Sequence, residues 1–256
     1  MLTDDLPYVL KQGDCVTLMK KLPDGSVDLV VTSPPYDGLK EYKKRMTWEY
    51  FRKVASELHR VVKEGGIVVW IVSDIAEDKG GSFRQALSFV EDGFTIHDIM
   101  IHKKAFPLLS KVRYRQAFEY MIILTKGEPR AINLLHDQPA KKSKKDKDKI
   151  ASVRDNIWTY TTGNEIMLSH LAAFPLALAV DHVSSWSKEG DIILDPFLRS
   201  GTTGVASMLL DRRFIGFEKE KKYLTIADKR LANWESESIA VDEPCFSDDL
   251  YEAWEA

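Results

Sequence analysis

The run Ile67-Val-Val-Trp-Ile-Val72 constrains the fold more than any other feature of this chain. Six consecutive apolar residues without alternation read as a short strand buried on both faces. They fall far short of the roughly 18 residues that a membrane-spanning helix needs, and no other apolar stretch approaches that length. A strand covered on both faces needs helices on either side, and the flanking sequence supplies candidates. Thr47 can cap a helix whose apolar residues fall at Trp48, Phe51, Ala55, Leu58 and Val62, spacings of three and four that make one buried face. Gly65-Gly66 is expected to end that helix. Further helices are expected over 82–92, Leu171 to Ser187, Thr203 to Leu210 and Tyr223 to Asn233, with a small one ending at Leu22. Strands are expected from Tyr8 to Asp14, Val27 to Thr32, Phe94 to His102, Glu119 to Thr125, Ile192 to Asp195 and Phe214 to Glu218. Strands alternate with helices and nothing repeats, so the fold class is α/β with a mostly parallel sheet.

Hydrophobic residues make up 44% and charged residues 29%, which favours a folded domain over a disordered chain. The start, Met1-Leu2-Thr3-Asp4-Asp5, lacks the basic and apolar regions of a signal peptide. Cys15 and Cys245 lie too far apart in sequence to argue for a disulfide framework or a zinc site, so no metal and a reducing cytoplasm are the expectation.

Charge is unevenly spread. Lys103 to Arg154 holds 14 Lys and Arg against 5 Asp and Glu, whereas Glu235 to Ala256 holds 8 acidic residues and no basic one. A basic middle suits a polyanion such as nucleic acid, or is a solvated loop. Within it, Lys141-Lys-Ser-Lys-Lys-Asp-Lys-Asp-Lys149 has low complexity, and hydrophobic periodicity is absent from Lys126 to Asn156.

Two stretches carry chemistry. Asp195-Pro-Phe-Leu-Arg-Ser-Gly-Thr-Thr203 joins a strand to a helix, and its small residues let the backbone approach a ligand at the helix N-terminus. Glu218 ends the next strand, where an acid commonly holds ribose hydroxyls. This fits an adenosine-containing cofactor, or an ordinary tight turn. The second stretch, Thr32-Ser-Pro-Pro-Tyr36, follows a strand directly. Two prolines fix φ and remove two donors, leaving carbonyls that project in a set direction. Such a turn can hold a planar base by its exocyclic amine, or simply terminate a strand beside a core tyrosine.

The pair, in this order, resembles the β-class amino-methyltransferases of DNA. The target-amine motif of that family is matched by Ser33-Pro34-Pro35-Tyr36, and its cofactor motif by Asp195-Pro196-Phe197-Leu198-Arg199-Ser200-Gly201-Thr202. His170-Leu-Ala-Ala-Phe174-Pro175 with Trp186-Ser187, Arg213-Phe-Ile-Gly-Phe-Glu218, and Tyr223-Leu-Thr-Ile-Ala227 match further family positions, as do Gly13-Asp14, Gly65-Gly66, His102-Lys103 and Glu119-Tyr120. The likeness spans about residues 8–234.

The resemblance implies a seven-stranded Rossmann-like methyltransferase sheet, mostly parallel with one antiparallel strand. It implies a circularly permuted order, so that the strand ending at Asp14 lies beside the one ending at Glu218. The expected domain covers 1–234, with a basic target-recognition insert at 128–156 and an acidic tail at 235–256. The implied cofactor is S-adenosyl-L-methionine. Its binding residues would be Asp14, Cys15, His170, Phe174, Pro175, Asp195, Pro196, Phe197, Ser200, Gly201, Thr202, Thr203, Glu218 and Lys219. Ser33, Pro34, Pro35 and Tyr36 would hold the target base, flipped out of double-stranded DNA. Lys141, Lys142, Lys144, Lys145, Lys147 and Lys149 would contact phosphates, which position a protein without reading sequence.

Serine in the first motif position implies methylation at cytosine N4, with adenine N6 as the alternative and a catalytically silent DNA-binding relative as a rival of another class. A cognate restriction endonuclease, and a monomeric or homodimeric state, are left open. Arg199 stands where the family carries glycine, and would either crowd the cofactor turn or point outward. Asp74 would face the cleft or cap an element, and His59, His97, His136 and His182 read as ordinary structural residues.

Overall fold

Burial on two faces organises the observed structure. The computed structural model describes residues 7–35, 46–74, 80–108, 114, 116–136, 152–160 and 174–236. Tyr36, His170, the six lysines from Lys141 to Lys149 and the tail beyond residue 236 lie outside the described residues.

The elements run β1 (Tyr8–Gln12), α1 (Cys15–Met19), β2 (Val27–Thr32), α2 (Trp48–Val61), β3 (Val62–Val72), α3 (Gly81–Glu91), β4 (Thr95–Leu108), β5 (Gln116–Thr125), β6 (Ile157–Thr159), α4 (Leu176–Trp186), β7 (Ile192–Asp195), α5 (Thr202–Leu209), β8 (Arg213–Glu218) and α6 (Lys221–Ala232). The strands form one sheet in the order β1-β8-β7-β2-β3-β5-β4-β6. β5 runs antiparallel to both β3 and β4, and the other pairs are parallel. As expected, β1 lies beside β8, with Gln12 opposite Glu218. The sheet has eight strands rather than seven. The addition, β6, is a three-residue edge strand after the aperiodic stretch, too short to leave a periodic signal.

Alternation within the two central strands feeds two cores. Val27 and Val30 of β2, with Val68, Trp70 and Val72 of β3, face a layer containing α1, α2 and α3. Leu29 and Val31, with Ile67, Val69 and Ile71, face α4, α5 and α6. Trp70 fills the first layer, its ring 5.8 Å from that of Phe51 and 5.1 Å from that of Phe89.

The α2 cap is as expected, with Tyr50 N donating to Thr47 Oγ1 at 3.2 Å. Its end is not. α2 stops at Val61, and Gly65-Gly66 lie inside β3. Glycine is needed there because chain crosses the strand: a Cβ on Gly65 would sit 2.7 Å from Glu128 O, and one on Gly66 would sit 2.9 Å from Asp28 O.

The described ends of the 128–156 segment are zipped together. His136 bridges Val153, and Arg154 N donates to Leu135 O at 2.8 Å. Both ends dock on α4, through Asn133 N to Ser185 O (2.8 Å) and Arg154 Nη1 to Asp181 Oδ2 (2.6 Å).

Strand order reverses between β7 and β2. β7 leads through α5 to β8 on one side, and β2 leads through α2 to β3 on the other. Ligands of open α/β sheets bind at such a point, outside the carboxyl ends of the strands. Here those ends carry Asp195 and Thr32-Ser33.

Candidate active site

β7 delivers Asp195 into a buried position, 3% exposed. Its Oδ1 accepts from Thr32 Oγ1 at 2.6 Å and from Phe197 N at 3.0 Å. Burial pushes the carboxyl up to about 6, against the pull of those hydrogen bonds. The Thr32 contact joins the two sequence motifs across neighbouring strands. Thr203, in the first turn of α5, adds a second tie by donating to Val31 O at 3.1 Å.

The turn after Asp195 is held from both sides. Leu198 N donates to Phe217 O (2.9 Å), and Gly201 N to Leu198 O (2.8 Å). Gly201 caps α5 with φ +83°, and a Cβ there would meet Leu231 Cδ1 at 2.9 Å and Ala227 Cβ at 3.0 Å. Glycine at this position therefore serves both the left-handed backbone and the close approach of α6. Arg230 of α6 braces the turn, donating to Ser200 O (2.9 Å), Ser200 Oγ (3.2 Å) and Thr202 Oγ1 (3.2 Å).

Arg199 is in the left-handed region at φ +46° and is 7% exposed. An outward-pointing side chain is thereby ruled out: arginine occupies the glycine slot with its side chain buried. Its amide donates to Glu218 Oε2 at 2.9 Å, which fixes the turn in this conformation. The other Glu218 oxygen accepts from Glu220 N at 2.8 Å. Glu218 is buried at the end of β8, whereas Lys219 beside it is exposed.

At the end of β1, Gly13 N donates to Glu218 O at 2.9 Å. Asp14 caps α1 through Thr17 N (3.0 Å) and Thr17 Oγ1 (3.2 Å), and it accepts from the Tyr50 hydroxyl on α2. Partial burial raises the Asp14 carboxyl, but these hydrogen bonds and the Lys219 charge outweigh it and hold it below the ordinary carboxylate value. Cys15 is buried next to it, its thiol pushed up to about 12 by burial.

Ser33 and Pro34 are buried and Pro35 half-buried just beyond β2. Phe174 packs against the core just before α4, and Pro175 stands buried at the helix N-cap. Asp74 is a cap and not a cleft residue: its carboxylate accepts from Gly80 N (3.1 Å) and Ser82 N (2.9 Å) at the start of α3. The four histidines are structural. His182 is buried against Met121 and Trp186, which lowers it to about 3. His59 packs edge-on to Phe94, His97 lies against Trp186, and His136 bridges Val153.

The sequence does not mark Thr32, Tyr50 or Arg230 as site residues, nor does it reveal the depth of the Glu119 cluster. Thr32 was visible beside the Pro-Pro turn. Tyr50 and Arg230 sit on helices with no local signal. Glu119, at the same end of the sheet, is 7% exposed and bound by His102 Nδ1 (3.2 Å) and Lys104 Nζ (2.6 Å). Burial alone would raise it, but these two partners pull it down to about 2.

A family model described as "DNA methylase" matches residues 27–229. The orphan methyltransferase M.BamHII of Bacillus amyloliquefaciens is 43% identical over 250 residues, covering 85% of this chain and 93% of that protein. The crystal structure of the M1.HpyAVI–SAM complex superposes with a TM-score of 0.63 at 25% identity, covering 88% of this chain and 99% of that one. The cytosine-N4-specific PvuII DNA methyltransferase superposes at 0.68 over 90% of this chain and 91% of its own; at 19% identity the likeness is one of fold.

Proposed function

We propose a function from one premise, that the chain belongs to the DNA methylase family whose model spans residues 27–229: it transfers a methyl group from S-adenosyl-L-methionine to the N4 amine of a flipped cytosine in double-stranded DNA. The observation that carries the reading is the Thr32–Asp195 hydrogen bond of 2.6 Å, which sets the end of the Ser-Pro-Pro strand directly against the start of the cofactor turn. A base held at one and a cofactor held at the other would be neighbours.

The buried, hydrogen-bonded carboxylates at the strand ends suit this cofactor. Asp195, Phe174 and residues 200–203 would hold its methionine end, Glu218 its ribose and Asp14 with Cys15 its adenine. S-adenosylmethionine brings a methyl group already activated on sulfonium. The protein's task is therefore to position and polarise the amine, a poor nucleophile because its lone pair is delocalised into the ring. Ser33 Oγ and the Pro34 carbonyl accept its N–H bonds and favour a more tetrahedral nitrogen. Tyr36 stacks on the base. Proton loss follows transfer, when the amine has become acidic, so no strong base is required beforehand.

Cytosine N4 over adenine N6 rests on Ser33 leading the Pro-Pro-Tyr motif. The deciding experiment is digestion of DNA methylated by the protein to nucleosides, with mass identification of the product. N4-methylcytosine is expected; N6-methyladenine overturns the choice of base, and DNA binding without product supports the silent relative.

Arg199→Gly removes the penalty of about 1–2 kcal/mol for holding a non-glycine residue in the left-handed region. It is expected to tighten S-adenosylmethionine binding and raise methylation at low cofactor concentration. Loss of binding would instead make Arg199 a ligand contact. The lysines of the insert act through counterion release. Replacing Lys141, Lys142, Lys144 and Lys145 by Gln is expected to lower the salt slope of DNA binding by up to about one unit per lost phosphate contact. An unchanged slope would remove the loop from the DNA interface.

A further inference from the structure

Tyr50 stands in the first turn of α2, and its hydroxyl forms a hydrogen-bond chain that no sequence motif accounts for. It donates to Asp14 Oδ2 and lies 3.4 Å from Cys15 Sγ. A phenol has one proton. With that proton on Asp14, the Cys15 S–H donates to the phenol oxygen. The chain therefore runs one way, from thiol to phenol to carboxylate. Burial keeps the thiol protonated, which suits a donor at the head of the chain.

The Asp14 carboxylate is largely filled. Oδ1 accepts from both Thr17 N (3.0 Å) and Thr17 Oγ1 (3.2 Å), and Oδ2 accepts from Tyr50. A carboxylate oxygen takes about two donors, so among the described residues one acceptor position remains, on Oδ2. Thr17 fixes one oxygen and Tyr50 the other, so the carboxylate has no freedom to rotate. It sits at the end of β1, next to the Glu218 end of β8.

We propose that Tyr50 is a specificity-determining positioning residue: it locks Asp14 so that a single acceptor is offered to the purine of the cofactor, selecting a 6-amino group over a 6-oxo group. The proposal rests on the reading that places adenine at Asp14. It adds the residue that orients the carboxylate and the purine group the carboxylate selects. A polar site discriminates strongly against an analogue that leaves it unpaired, and a 6-oxo purine faces the acceptor with another acceptor.

The test is calorimetric binding of S-adenosylhomocysteine and S-inosylhomocysteine to the full chain, wild type and Tyr50→Phe. The wild type is expected to prefer the adenine compound by at least about tenfold. Tyr50→Phe is expected to weaken that compound about five- to tenfold while leaving the inosine compound within about twofold, so that the preference collapses. A parallel loss of both ligands would reduce Tyr50 to a structural role, and an unchanged preference would also overturn the proposal. Wild-type protein that binds both compounds equally overturns it without any substitution, which covers a variant that folds poorly. Wild-type protein that binds neither overturns the cofactor reading itself, a result distinct from all of these.

Discussion

Asp195→Asn is expected to make the free protein more stable at pH 7 while cutting its affinity for S-adenosylmethionine by roughly tenfold to a hundredfold. The two effects share one cause. Burial lifts the Asp195 carboxyl from its ordinary 3.8 to about 6. Between those values the native state holds a proton that the unfolded chain has lost, so this group's contribution to stability falls as pH rises across the window. At pH 7 the fold carries an ionised carboxylate at a cost on the order of 3 kcal/mol, from about 1.4 kcal/mol per tenfold change in ionisation. The amide removes that cost and keeps the acceptor for Thr32 and Phe197 N. Of its two new N–H groups, one can reach Thr203 Oγ1, which spends its own proton on Val31 O and borders the Asp195 carboxyl. A melting temperature several degrees higher is expected near pH 7, shrinking towards pH 4. Under the proposed function binding is expected to move the other way, because the charge lost is the one that would face the cofactor's ammonium, a charge-assisted hydrogen bond of about 1.5–3 kcal/mol. Wild-type affinity should also fall below pH 6, while the variant's stays flat. A variant that is both less stable and fully able to bind would refute the account.

Glu218→Ala is expected to abolish cofactor binding within the measurable range and to destabilise the fold by about 2–5 kcal/mol, the cost of leaving two backbone donors without acceptors. Glu218 spends one oxygen on Arg199 N and the other on Glu220 N. The first bond pins a non-glycine residue at φ +46°, so losing it frees the whole turn from Leu198 to Gly201. Glu218→Gln sharpens the test. An amide has one acceptor oxygen and can serve only one of the two donors, so the glutamine variant should be intermediate in both denaturation and calorimetry. Glutamine behaving as wild type would mean that only one of the bonds matters.

The architecture was legible because strands buried on both faces announce themselves. The run Ile67 to Val72, the β-branched stretch of β2 and the tight β7–α5 turn all appear where expected. What escaped was set by tertiary contacts that local sequence does not encode. Gly65-Gly66 read as a helix stop, yet they are glycines because Glu128 and Arg130 crowd Gly65 while Val62 and the Asp28 carbonyl crowd Gly66. The three residues of β6 become a strand only because β4 offers an open edge. The placement of Asp195, Glu218 and the Ser-Pro-Pro turn at neighbouring strand ends was legible in the sequence. Tyr50 and Arg230 were not, since each acts from a helix more than 25 residues from its partners, and nothing about a lone tyrosine or arginine reveals the distance it spans. Arg199 departs visibly from the family motif, but only the fold shows that its side chain is buried.

The zipped ends of the basic insert bear on how such a protein could change its target over time. His136 pairs with Val153, and Arg154 reaches Asp181, so the segment leaves and re-enters the core at one fixed place on α4. What lies between these anchors closes a loop whose entropic cost grows by only about 0.6 kcal/mol for each doubling of its length. New sequence, longer or shorter, can therefore be exchanged between the same two posts without re-tuning the sheet or the cofactor turn. If this insert reads the target, as proposed, the address could be replaced while the sheet stays as it is.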